Sequence, residues 1–539
     1  MLFFTSSLSW IILLPVIGAL VTLAAPVKFA RWVALAFAAA VFALTLFVFF
    51  QIIADNGYNF GSLTSLRDTI DISWISFPLG KHALNIHYAL GVDGLSLPMV
   101  MLNGLLSMLA IVGGWQKTRV KEYMALLLVL EAGVMGVFLA SDLLLFFLFW
   151  EVELAPMFLL IGIWGNEAIK HGMPGRIYSA WKFLLYTFFG SIFMLAGILL
   201  LYFSVGRDNA SMPFLAQHQL AETTMFPLLG FQVGGQLLIF LLIFTAFAVK
   251  IPMFPLHTWL PDAHTDAPTE VSVILAGILL KMGAYGLIRI CLGLAPLGVQ
   301  QFSSWLIVLA VINIIYGAGI CLVQKDMKKL IAYSSVSHMG IILLGVAAAA
   351  ATLGVHGNSA LDQNLHLFGV AALMGAVVQM TSHGLITGLL FFCVGVIYDH
   401  AHTREIAVFG GVAKRMPMLA TLFTFAGLAS LGLPGLAGFI AEYMVFTSSY
   451  AIWPVATTIA VFTMILTAGY LLWMLKRVFY GPFNPKWNWL PDASLRETIP
   501  LVTLAAFIVL VGIYPRFLLD IIIPSLHQLL PTITTIGGR

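Results

Sequence analysis

Lys250 is the first residue to explain. Gln236 to Val249 is apolar apart from Gln236 and Thr245, so a helix through it carries Lys250 about 20 Å from its start. An ammonium group at that depth in an apolar span is costly, and such residues face protein or trapped water and mark ion pathways. Pro252 and Pro255 follow at once, and each removes a backbone donor and breaks the helix. Broken helices at membrane depth are tolerated only inside protein or around a cavity. A lysine snorkelling from a helix end would lead into a polar loop, whereas a second apolar segment follows here.

Other ionisable groups share this setting. Glu151, in Phe146-Phe147-Leu148-Phe149-Trp150-Glu151, lies about 12 Å into its own span. Alone it would stay neutral, and beside a lysine it could ionise. Glu153, two residues on, points to another face and reads as a supporting group; Glu131 lies at similar depth. Lys281 ends Leu279-Leu280-Lys281, too deep to snorkel. His338, in Ser334-Ser335-Val336-Ser337-His338-Met339-Gly340, and His383, in Gln379-Met380-Thr381-Ser382-His383-Gly384, fall on successive spans. A lone histidine on an apolar helix is usually a satisfied core residue. Two with hydroxyl neighbours point to a hydrated proton path, for which a pKa near neutrality suits the side chain. Pro434, in Leu433-Pro434-Gly435, breaks a second span, and Glu442 lies just past it.

The chemistry these residues offer is proton relay. Shifting a carboxylate by a few Å beside a buried lysine changes the lysine's hold on its proton by about 3–4 kcal/mol. A proton moved against about 150 mV needs about 3.5 kcal/mol. The drive must come from a partner. There is no GxGxxG after a strand, no Walker loop and no CxxC pair, and Cys291, Cys321 and Cys393 each stand alone in apolar runs. Nucleotide, metal, iron–sulfur and disulfide roles therefore have no support in this chain. A net charge of +3, thinly scattered, gives no footprint for nucleic acid.

The elements that position these groups are membrane helices. Of 539 residues, 61% are hydrophobic and 9% charged, against about 25% charged in soluble domains. Met1 to Trp10 has no basic residue, which favours a retained first helix over a cleaved signal. Apolar runs predict an all-α polytopic protein with about 14 transmembrane helices. They cover 8–25, 31–53, 93–115, 122–140, 143–164, 180–205, 236–262, 268–292, 304–323, 330–351, a span within 367–398, one from near 416 broken at 433–435, 456–473 and 498–513. The polar stretch 54–92 alternates around Ile70 to Ile75, as a short hairpin would. Eighteen of the 26 basic residues fall beside loops after odd-numbered spans and six on the other side. The positive-inside rule then places the first set in the cytoplasm and both termini outside. Spans 7 and 12 break alike, five apart, so spans 4–8 and 9–13 read as two inverted repeats. The expected divisions are 1–121, 122–292, 293–479 and 480–539.

Several stretches carry a resemblance: Phe149-Trp150-Glu151, Lys250 with Pro255 to His264, Leu275 to Lys281, Ile331 to Gly340, Ser382 to Leu385, His402-Thr403-Arg404, and Leu433 to Glu442. From about Gly91 to Tyr514 the chain resembles the antiporter-like M-chain family (chain 4 in mitochondrial naming) of proton-pumping NADH–quinone oxidoreductase, complex I. The resemblance implies that Glu151 and Lys250 form the ion pair of the first half. It makes Lys281 a central relay, His338 and His383 the link, and Glu442 the exit-side group. It implies a non-redox translocase subunit, with NAD, FMN, iron–sulfur clusters and quinone in partner subunits. Partners would include sister antiporter-like chains, in an energy-transducing membrane such as the bacterial inner membrane. Sister chains typically carry lysine where this one has Glu442. The segment near 348–373, with Asn358, Asp362, Gln363, Asn364 and His366, is an apparent expansion. The same motifs suit a subunit of an Mrp-type cation/proton antiporter, a ferredoxin-driven photosynthetic or hydrogenase complex, or a scaffold with inherited polar residues.

Overall fold

The computed structural model describes residues 6–54, 66–79, 82–205, 209–221, 224–228, 231–353 and 360–534. Apolar segments in lipid must satisfy their backbone internally, and nearly all of them here are helices. The first are α1 (Ser7–Ala24), α2 (Val27–Ala54), α3 (Leu97–Gly113), α4 (Val120–Leu139), α5 (Leu143–Val152), α6 (Leu154–Trp164), α7 (Gly175–Val205) and the short α8 (Met212–Gln217). Next come α9 (Gly235–Lys250), α10 (Trp259–Asp266), α11 (Thr269–Ile274), α12 (Leu280–Gly286), α13 (Pro296–Leu322), α14 (Met327–Ala351) and α15 (Ala360–Ala401). The last are α16 (Pro417–Ser430), α17 (Ala437–Ile452), α18 (Pro454–Leu475), α19 (Leu495–Ile513) and α20 (Arg516–Thr534). Among the described residues, 12 helical spans are long and apolar enough to cross a membrane. The shorter α9 and α16 begin the two broken elements.

Three details depart from the expected spans. The fifth expected span, 143–164, is interrupted at Glu153 into α5 and α6, where Pro156 cannot donate to the Val152 carbonyl. The span after α10 contains two π-helical turns, Leu275–Leu279 and Leu287–Leu292. A further helix, α20, follows α19 where only a tail was expected. Its Ser525 Oγ accepts from Gly94 N at 2.8 Å, and a Cβ at Gly94 would sit 1.9 Å from the Ile521 carbonyl oxygen. Of the apparent expansion, residues 354–359 and thus Asn358 lie outside the described residues, while Gln363, Asn364 and His366 belong to the first turns of α15.

The expected hairpin is present and longer than its sequence signal. β1 (Arg67–Leu79) pairs antiparallel with β2 (His82–Val92), with Ile70 opposite Leu90 and Ser73 opposite His87. The smaller β3 (Ile169–Lys170) and β4 (Met173–Pro174) pair after α6, and β5 (Met225–Leu228) and β6 (Phe231–Gly234) before α9.

Loops sort into two sets that touch only their own kind in the contacts that define them. Leu90 bridges to Ala140 and Asp142 to Ser211, and Gln219 reaches the Gly293 carbonyl. On the other face Asp326 bridges to Glu405, Lys170 pairs with Asp266 at 2.6 Å, and Asn484 N donates to the Gly410 carbonyl. This sorting is what alternating passages through one slab require. α14, α15 and the span 269–292 lie buried at the centre, whereas α2, α7, α13 and α18 turn Trp32, Phe188, Trp305 and Phe462 outward. Apolar residues outside and charges inside reverse the usual soluble pattern.

Asp93 anchors the start of α3. Its Oδ1 accepts from Leu95 N and Ser96 N at 3.1 and 3.0 Å, and its Oδ2 accepts from Arg289. Burial pushes the Asp93 carboxyl up, but the Arg289 charge and the backbone donors outweigh it, so its pKa lies below the usual value of 3.8. The stability this group adds is therefore present above about pH 4 and is lost as pH falls through the depressed native value. Asp93→Asn strands Arg289 in the interior, which costs about 3–5 kcal/mol. The apparent melting temperature of the purified protein should fall by several degrees, and Asp93→Asn/Arg289→Leu should recover most of it. A double variant no better than the single one would refute the pairing.

Candidate functional site

The site begins where α9 ends. Lys250 is its last helical residue and is 1% exposed. Pro252 and Pro255 prevent the helix from continuing, and the chain resumes as α10. The freed backbone is satisfied from α13, where Asn313 Oδ1 accepts from Phe254 N at 2.7 Å and Asn313 Nδ2 donates to the Pro252 carbonyl at 3.4 Å. Trp259 Nε1 closes the other side by donating to the Val249 carbonyl at 3.0 Å. Lys182 pairs with Asp262 at 2.7 Å, and Ser179 donates to Asp266 at 2.6 Å, which ties α10 to α7.

Lys250 Nζ donates to Glu153 Oε1 and lies over the Trp150 and Phe183 rings, 5.3 and 5.5 Å from their centroids. The expected partner was Glu151. Glu153, which lies between α5 and α6, takes the lysine instead. Glu151 faces Ser191 of α7 and remains within electrostatic range of Lys250, with its Oε1 unpartnered. Glu153 is wholly buried, and its second oxygen also lacks a partner. Glu131 is buried with neither carboxyl oxygen paired.

A second group lies across the centre. Lys281 is the second residue of α12, just after a π-helical turn, and is 0% exposed. Such turns leave carbonyls out of the regular ladder and recur at functional sites. Here the Ala276 carbonyl accepts from Lys281 Nζ. Lys281 Nζ also lies 2.7 Å from His383 Nδ1 on α15. Glycines make this contact possible, because a Cβ at Gly384 would be 2.6 Å from the Gly277 carbonyl oxygen. His383 and His338 stand with ring centroids 5.6 Å apart. His338 Nδ1 is 3.3 Å from Glu442 Oε1, and its Nε2 is 3.2 Å from Ser430 Oγ.

Glu442 lies on α17, past the second break. Gly432 (φ +72°) and Gly435 (φ +90°) make that break alongside Pro434, and a side chain at Gly432 would meet Glu442 Oε2 at 2.8 Å. A cavity of about 10 Å³ lined by Ser337, His338, Glu442, Thr463 and Thr467 is near the smallest that admits a water. The two groups join through packing of α9 on α12, where Lys250 Cβ lies 3.1 Å from the place a Cβ on Gly283 would take.

The structure thus brings Lys281, His383, His338 and Glu442 into one contiguous series and sets Lys250 with Glu153 and Glu151 beside it. Sequence reasoning undervalued Glu153. It did not single out Asn313, whose polar side chain in an otherwise apolar span was visible.

Two broken elements, a core of buried lysines, histidines and carboxylates, and an apolar exterior define the antiporter-like class of membrane chains. The family model for NADH:quinone oxidoreductase/Mrp antiporter transmembrane chains matches residues 140–361 and 363–467, and the chain belongs to that family. It is 43% identical over 462 residues to NADH-quinone oxidoreductase subunit M of Rhodobacter capsulatus, covering 83% of this chain and 82% of that one. It is 38% identical over 533 residues to NAD(P)H-quinone oxidoreductase chain 4 of Gloeobacter violaceus, covering 97% and 92%. A chain of respiratory complex I from Thermus thermophilus superposes with a TM-score of 0.80 at 28% identity, covering 97% of this chain and 99% of that one.

If Glu153 is the partner of Lys250, Glu153→Gln removes the countercharge of a buried ammonium, while Glu151→Gln leaves the pair intact. The first should lower the apparent melting temperature of the purified protein by several degrees and the second by much less. Equal losses, or a larger loss in Glu151→Gln, would reassign the pair.

Proposed function

We propose that this chain is the M-type antiporter-like subunit of an NADH–quinone oxidoreductase and moves protons along its buried row while electrons pass through partner subunits. The contiguous series from Lys281 through His383 and His338 to Glu442 carries this reading. Each member binds and releases a proton, and each lies close enough to its neighbour for direct or one-water transfer. Breaking the Lys250–Glu153 pair shifts the lysine's hold on its proton by about 3–4 kcal/mol, comparable to the work of moving a proton across a charged membrane. The pair is thus a gate whose state partner subunits can set. NAD, FMN, iron–sulfur clusters and quinone belong to those partners. Sister antiporter-like chains are the neighbours this reading assigns in the membrane.

The two broken elements complete 14 crossings in this reading. Spans 4–8 and 9–13 are inverted repeats within the divisions 1–121, 122–292, 293–479 and 480–539. The lysine-rich face is cytoplasmic, with both termini on the other side of a bacterial inner membrane. Reporter fusions test this orientation: a fluorescent domain placed after Thr534 should stay dark when exported and a periplasmic phosphatase there should be active.

Lys281→Ala in the assembled complex is expected to reduce NADH-driven proton pumping in sealed inverted vesicles at least fivefold, with subunit composition unchanged. Quinone reduction should fall with it if transport and electron flow are tightly coupled. Undiminished pumping would end the reading. An Mrp-type antiporter subunit would instead support Na⁺- or K⁺-dependent exchange without NADH, which the same vesicles can measure.

A further inference from the structure

One corner of the lysine-rich face takes no part in the proton row. It forms where α18 runs out in a π-helical turn, Lys476–Tyr480, and the chain passes back beside the start of α16. Residues 406–417 and 473–491 hold five basic residues, Lys414, Arg415, Lys476, Arg477 and Lys486, and no acidic one. None of these five side chains has an ion-pair partner among the described residues. Asp492, which follows, accepts from Met418 N at 2.8 Å and Leu419 N at 3.3 Å and so caps α16 instead. The corner is firmly built. Asn484 Nδ2 and Trp487 Nε1 both donate to the Val408 carbonyl, at 3.0 and 2.8 Å. Gly411 (φ +59°) permits a close approach, since a Cβ there would be 2.6 Å from Phe483 Cα.

Aromatic rings stand beside the charges. Arg477 lies 5.1 Å from the Trp473 ring centroid, Lys486 5.2 Å from that of Trp487 and Lys414 5.8 Å from that of Phe483. Such contacts hold a cation in place without cancelling its charge. Trp473, Tyr480 and Trp489 are more than half exposed. Towards the far face, Ile465, Phe462 and Val455 continue an exposed apolar stripe at helical spacing along α18. From Val455 to Trp473 the helix rises about 27 Å, against about 30 Å for the hydrocarbon of a bilayer. The stripe therefore lies along lipid tails, and Trp473 with the basic residues stands at headgroup depth, where Trp and Tyr are favoured. A water-soluble acidic partner would answer the charges alone, whereas a phospholipid answers charges and stripe together.

We propose that this corner binds the headgroup of an anionic phospholipid, with Lys476, Arg477 and Lys486 facing its phosphate and its acyl chains lying along the α18 stripe. The Arg477 guanidinium offers paired donors to phosphate oxygens, and the two lysines act as point charges. Each basic residue beside an anionic headgroup raises affinity about fivefold. The site is independent of the proton row and binds whether or not the row conducts.

The test places the whole complex in lipid nanodiscs. A trace of phosphatidylglycerol carrying a diazirine in its acyl chain is photolysed, in parallel with phosphatidylcholine carrying the same chain. Labelled peptides of this chain are then read by mass spectrometry. The phosphatidylglycerol probe should label residues 472–489 about fivefold more than the phosphatidylcholine probe, or better. Both should label the stripe around Phe462 equally. Arg477→Gln/Lys486→Gln should bring the first signal down to the second. If that variant does not assemble, salt decides on the unmodified complex. Raising it from about 0.1 to about 1 M shortens the screening length from about 10 to about 3 Å and should abolish the preference. Equal labelling by the two probes at low salt, or a preference that survives the double variant or high salt, overturns the proposal. So does a short amine-reactive cross-linker that joins Lys476 or Lys486 to another subunit while neither probe labels the corner, a result that assigns it to an acidic protein partner.

Discussion

An ammonium group in an apolar interior persists only if its charge is answered nearby, and the architecture follows from that demand. Lys250 is answered by a carboxylate, Glu153, and by the faces of Trp150 and Phe183. Lys281 meets no carboxylate; it rests against the Ala276 carbonyl and the His383 ring. The two lysines are therefore unlike in kind. One belongs to an ion pair that resists separation, and the other rests in a polar pocket that can lose its charge without stranding an opposite one. A device that passes protons along needs both, a latch and a carrier.

Backbone irregularities supply these answers. The π-helical turn before Lys281 includes Ala276, whose carbonyl accepts from the lysine. The break after Lys250 exposes backbone groups that would be ruinous in lipid, and Asn313 covers them. Gly432 and Gly435 perform the second break with backbone angles that side chains disfavour, and the missing side chain at Gly432 leaves room for Glu442. The π-helical turn is wholly buried, whereas each break turns part of its loop outward, Phe254 in the first and Leu433 in the second.

Much of this was legible in the chain. Lys250 followed by two prolines announces a broken helix, and Pro434 before Glu442 announces another, because proline acts locally whatever surrounds it. Lys281, His338 and His383 stand out because ionisable residues are scarce in apolar runs. The partner of Lys250 was harder. Helical periodicity set Glu153 on a different face from Glu151, and the structure keeps them apart; which of the two faces meets Lys250 depends on how α9 packs, which the sequence does not display. The π-helical turns left no trace in composition, since they depend on how neighbouring helices press together. The helix α20 was missed because Arg516, Asp520 and His527 dilute its apolar run.

α15 runs 42 residues without interruption, about 63 Å, whereas the hydrocarbon of a bilayer is about 30 Å thick. Its first turns, around Gln363 to Leu367, must therefore project beyond the lipid on the face opposite the lysines. The same rod carries His383 against Lys281. A continuous helix is stiff along its length, so a tilt imposed on the projecting end pivots the buried imidazole as a lever moves its short arm. With Nζ and Nδ1 only 2.7 Å apart, a displacement of about 1 Å at that point suffices to part them.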